Sequence, residues 1–120
     1  MPTFDAETLR ALRDLKEIGI RTAQHPGHAV VIWIVVAGDE VFVRSFRGAK
    51  GRWYRDIAAG GPAMLEFGDR RLAVQAVPAN EPAAIERASR EYLSKYKSSS
   101  YAQAMVQPEL LPTTLRLEPR

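Results

Sequence analysis

VVIWIVVAGDEVFVRSF, Val30 to Phe46, is the stretch on which the fold turns. Its first seven residues, Val30 to Val36, are apolar without alternation, as expected of a strand covered on both faces. Gly38-Asp39 is a two-residue hairpin signal, and Glu40 to Phe46 reads as the returning strand. The same dipeptide recurs at Gly68-Asp69, between Ala63–Phe67 and Arg71–Val77, and announces a second hairpin. There Leu72, Val74 and Ala76 alternate with Arg71, Ala73 and Gln75, the period of a half-buried strand. Ile18 to Thr22 supplies a short first strand. TTLRLEP supplies a closing one, in which Leu115 and Leu117 alternate with Thr114 and Arg116 and the flanking Pro112 and Pro119 favour a sheet edge.

Helices fill the intervals. Asp5 is placed to cap a first helix, with Phe4 and Leu9 spaced as a hydrophobic staple around it; Leu9, Leu12 and Leu15 follow at helical intervals up to Gly19. Arg52 to Ala59 is a short helix closed by Gly60-Gly61-Pro62, with Trp53 and Ile57 one turn apart on its inner face. A longer helix runs from about Asn80 to Tyr96 behind Ile85, Ala88, Tyr92 and Tyr96. About six strands with few helices predict an α+β fold that is mainly β: a six-stranded antiparallel split β-barrel with flanking helices, in one domain over residues 1–120.

Composition narrows the function classes. No cysteine is present, so neither a disulfide framework nor a thiolate metal site is expected. The opening residues contain acids and no apolar block, and no apolar run approaches the ~20 residues of a membrane span. A cytoplasmic protein without membrane contact is the expectation. Net charge is only +3, but it is unevenly spread: six of the 17 cations fall between Arg44 and Arg70, among only three acids.

That cluster centres on VRSFRGAKGRWYRD, Val43 to Asp56. Alternation places Val41, Val43 and Ser45 on one side of the strand and Phe42, Arg44 and Phe46 on the other. Arg44, framed by phenylalanines, suits a dimer contact or a planar anion, because guanidinium both stacks and forks to phosphate. Gly48 and Gly51 let backbone approach a ligand, Lys50 adds charge, and a helix start near Gly51 offers amides to an anion. The spacing is not that of a P-loop. The plainer alternative is a solvated run of cations beside a core-facing Trp53–Ile57 stripe.

The order of elements, with VFVRSFRGAKGRWYRDIAAGGPAMLEF at the crossover, resembles the flavin-binding split-barrel superfamily, in particular its deazaflavin-dependent nitroreductase group. The same region and the closing TTLRLEP look more like a bacterial family known as domain of unknown function 2255. The resemblance spans Phe4 to Pro119. It implies a homodimer with a flavin-type cofactor, FMN or deazaflavin, across the subunit interface. The phosphate would lie against Arg44, Ser45, Arg47, Lys50 and Arg52, and Trp53 and Tyr54 would wall the ring or the partner subunit.

Other constellations are thinner. His25 and His28 in HPGH are two imidazoles in a turn without a neighbouring acid, a poor metal site. Tyr92, Tyr96 and Tyr101 are candidates to supply a phenol to a pocket, although the first two read more simply as core packing, and no Ser–His–Asp arrangement or other catalytic residue emerges. Three functions stay open: a flavin- or deazaflavin-dependent oxidoreductase, a non-enzymatic dimeric barrel holding another anionic small molecule or no cofactor, and, least favoured, a nucleic-acid binder acting through the basic loop.

Overall fold

The computed structural model describes residues 3–120. Helix α1 (Ala6–Asp14) begins where the cap was expected: Asp5 Oδ1 accepts the Thr8 amide at 2.7 Å, and buried Phe4 joins the core against which Leu9 packs. Seven strands follow: β1 (Ile18–Thr22), β2 (Val30–Ile32), β3 (Ile34–Ala37), β4 (Glu40–Val43), β5 (Gly61–Phe67), β6 (Arg70–Pro78) and β7 (Leu115–Pro119). They form one antiparallel sheet in the order β2-β1-β5-β6-β7-β4-β3. Helices α2 (Arg52–Ile57) and α3 (Pro82–Lys95) join the connections. In both hairpin turns the leading glycine is left-handed, Gly38 at φ 64° and Gly68 at φ 58°, where a side chain would be strained.

The two outermost strands of the sheet are neighbours in the chain, with only Trp33 between β2 and β3. The apolar run therefore bends once and pairs at both ends of the sheet, Ile32 with Ile18 of β1 and Ile34 with Val43 of β4. This nearly closes the barrel and turns six expected strands into seven. Tyr96 occupies the bend. Its hydroxyl accepts the Ile34 amide at 3.2 Å and donates to Lys16 O at 2.6 Å, while its ring stacks on Trp33 at 3.8 Å with planes 1° apart.

One expectation is corrected. β7 is not an edge strand but lies between β6 and β4. Its prolines do not interrupt the pairing, because Pro112 sits in the 3-10 turn Leu111–Thr113 and Pro119 is the last residue of the strand.

Apolar side chains divide into two cores. Inside the barrel, Ile20, Ile34, Val41, Val43, Leu65 and Leu115 pack with Trp53 and Ile57, which α2 drives into one end. Outside it, Val35 and Phe42 meet Ala84, Ala88 and Tyr92 of α3. β3 is thus buried on both faces, as its sequence demands, whereas Val31 of β2 stands 65% exposed. Among the described residues no helix is long and apolar enough to cross a membrane.

Candidate functional site

Arg44 leaves β4 on the outer face of the barrel, as alternation requires, but it does not reach solvent. The 3-10 turn Gln103–Val106 and α3 cover it, leaving it 1% exposed. Nε donates to Thr114 Oγ1 at 2.8 Å, Nη1 to Met105 O at 2.9 Å and Nη2 to Ile85 O at 2.8 Å. The Tyr92 ring lies beneath the guanidinium, 5.4 Å to its centroid. No carboxylate pairs with it among the described residues. Burial accordingly pulls its pKa below the ordinary arginine value, with Tyr92 opposing.

Ser45 points the other way. Its amide donates to Thr113 Oγ1 at 3.1 Å, and its carbonyl accepts the Gly48 amide at 2.9 Å to start the 3-10 turn Gly48–Lys50. Its buried hydroxyl has no hydrogen-bond partner among the described residues. It packs against Gly51, where a Cβ would stand only 2.3 Å from Ser45 Oγ. Any side chain at 51 would force this hydroxyl to turn away.

These residues form one wall of a pocket of about 660 Å³, within the range of small-molecule sites. The three residues of β2, with Trp33, Met105 and Tyr101, also line the pocket. Of the seven residues expected to bind a ligand, Arg44, Ser45, Arg47, Arg52 and Trp53 line it. Lys50 and Tyr54 do not: Lys50 is exposed on its turn, and the Tyr54 hydroxyl reaches Pro112 O at 3.4 Å. Trp53 serves both pocket and barrel core, so the two readings of that residue coexist. Arg47 and Arg52, with the covered Arg44, outnumber the one carboxylate of the lining, Glu17, which makes the cavity electropositive.

Sequence reasoning did not pick out Glu17, Val31 or Trp33 as pocket residues; of the three tyrosines that the sequence offers as a pocket phenol, Tyr101 lines the cavity, whereas Tyr92 and Tyr96 are buried in the core. The hairpin pattern explains Trp33 as strand, and nothing local shows that the chain bends there to present it. Around the mouth, Val31, Phe46 and Tyr101 are 65%, 56% and 60% exposed, with Phe46 and Tyr101 edge to face at 5.9 Å. His25 also has an acid beside it after all. Asp56 Oδ2 lies 2.7 Å from its Nδ1 and accepts the Thr22 hydroxyl at 2.6 Å. Partial burial pushes the Asp56 carboxyl up, but the Thr22 and His25 hydrogen bonds and the charges of His25 and Arg55 hold it below the ordinary range. This clasp fastens the QHPGH turn to α2 and so to the pocket wall.

Residues 8–117 match the family described as "Uncharacterized protein conserved in bacteria (DUF2255)". No curated protein matches the sequence. Among solved structures, a candidate general stress protein 26 from Jannaschia sp. CCS1 superposes with a TM-score of 0.68 at 14% identity, over 94% of this chain and 71% of that one. The conserved hypothetical protein Rv2991 from Mycobacterium tuberculosis gives 0.62 at 16% identity, over 95% and 78%. The FAD binding protein from Mycobacterium smegmatis gives 0.56 at 14% identity, over 99% and 92%. At such identities the likeness is one of fold.

Proposed function

The chain belongs to the bacterial DUF2255 family, and from that premise we propose that it binds a flavin-type cofactor, FMN or a deazaflavin, in this pocket, at the interface of a homodimer, as an oxidoreductase. The observation that carries the reading is the pocket's lining: two indoles, Trp33 and Trp53, and the exposed Arg47 and Arg52, backed by the covered Arg44, against a single carboxylate. That combination suits a planar ring joined to a phosphate. The unpartnered Ser45 hydroxyl and the side-chain-free Gly51 beside it fit a phosphate end at the same wall. The FAD-binding neighbour from M. smegmatis adds weight, since it shares the fold.

Arg47 and Arg52, exposed at the wall, hold the phosphate. Arg44 adds positive potential from behind, and Lys50 adds it from the same loop. Trp33 and Trp53 flank the ring. A bound flavin-type group supplies the hydride chemistry, while the protein binds and orients it. A second copy seated on Val31, Phe46 and Tyr101 shields the mouth from water.

The test is the visible spectrum of purified protein, followed by titration with FMN and with a deazaflavin under tryptophan emission. Saturable quenching at low micromolar cofactor is expected. Arg47→Ala with Arg52→Ala should weaken it by about a hundredfold, since each removes a charge-assisted contact. Equal affinity in the double variant would remove the phosphate assignment. A flat titration of colourless protein would leave the barrel as a holder of some other anionic molecule.

A further inference from the structure

The pocket has a polarity along its length that the phosphate assignment does not use. All three residues of β2 line it. At the Val30 end, Val30, His28 and Arg52 also line a small recess with Ile20 and Thr22. At the other end Ile32 pairs with Ile18, so the preceding residue, Glu17, stands beside Trp33. Three strand steps separate Val30 from Trp33, roughly 10 Å at the usual rise per residue. Arg52 therefore stands at one end of the cavity, where Asp56 belongs to the adjoining recess, and Glu17, the only carboxylate of the main cavity among the described residues, stands at the other. Glu17 takes part in no ion pair among those residues, so its oxygens are free to accept.

We propose that Glu17 is a specificity-determining acceptor, receiving an N–H from the edge of the bound ring farthest from the phosphate. This rests on the flavin reading above and names the feature of the ring that the site selects: an imide N–H, as flavins and deazaflavins carry at N3. A neutral N–H fits better than an ammonium group, because three arginines in the same cavity repel a cation. A docked ring covers this exposed carboxylate, so an edge lacking the donor leaves it desolvated and unpaired.

The experiment is a double-difference cycle read as dissociation constants. Wild type and Glu17→Ala are titrated with FMN and N3-methyl-FMN, and with 5-deaza-FMN and its N3-methyl derivative. Glu17 is exposed and precedes β1, so the variant keeps the fold. Removing either partner should weaken binding by about tenfold, and removing both should weaken it by little more than that. Glu17→Gln, which keeps an acceptor oxygen but not the charge, should fall between. If the parent cofactors bind but N3-methylation costs nothing, or the two losses multiply to about a hundredfold, Glu17 is not the acceptor and the flavin reading survives. If neither parent cofactor binds, both proposals fall together.

Discussion

Arg44 is a full charge enclosed by neutral oxygens, and its stability depends on geometry that only a guanidinium supplies. A lysine in its place has one nitrogen for three acceptors that lie in different directions. Arg44→Lys should therefore cost about 2 kcal/mol in urea unfolding, chiefly from the carbonyls of Met105 and Ile85 left unpaired. Ser45 and Gly51 offer a sharper test. Gly51→Ala meets Ser45 Oγ at 2.3 Å, whereas the serine's Cβ lies at an ordinary 3.5 Å. Gly51→Ala alone should destabilise by about 1–2 kcal/mol through overpacking, and Ser45→Ala should restore most of that loss in the double variant. Sequence alone located this basic loop, because its charges and glycines are contiguous. It could not show that Arg44 is covered, since its carbonyl partners lie 41 and 61 residues away. The Asp56–His25 contact, 31 residues apart, was hidden for the same reason.

The elements were legible where their signals are local. The hairpin turns, the α1 cap and the α2 stripe each lie within a few residues, whereas the bend at Trp33 and the central place of β7 depend on distant partners. α3 shows how such partners act. Lys95 Nζ donates to Leu12 O at 3.1 Å and Ile34 O at 2.7 Å, tying α3 to α1 and β3. Burial pulls this amine down to about 8 from 10.5, with Asp14 opposing. Between those values the unfolded chain holds a proton that the folded chain lacks, so stability rises with pH from about 8. Burial pushes Tyr96 up from 10.0 to about 12 and Tyr92 up as well, so above pH 10 the unfolded chain loses protons that the folded one keeps, and stability falls. A stability maximum near pH 10 is expected in denaturation midpoints. Lys95→Met should flatten the rising limb and leave the falling limb in place.

For the whole molecule, the apolar rim of Val31, Phe46 and Tyr101 argues for a partner of the same kind across the pocket mouth. Phe46→Asp should yield monomers in sedimentation equilibrium and weaken cofactor binding together with them. A wild-type protein already monomeric at high micromolar concentration would remove the dimer from the proposal. The position of β7 bears on how the barrel is assembled. Without it the sheet falls into two pieces, β2-β1-β5-β6 and β4-β3, which share no strand pairing and are joined only through the chain, most directly at Trp33. The hairpins within them are local, whereas β1–β5, β6–β7 and β4–β7 must each close long loops, which places refolding toward the slow, millisecond-to-second regime of non-local β topologies. During that interval β6 and β4 each present an unpaired edge, a template for strand exchange with another molecule. The molecule is then most prone to misassociation not when fully unfolded but while two half-sheets wait for the strand that joins them.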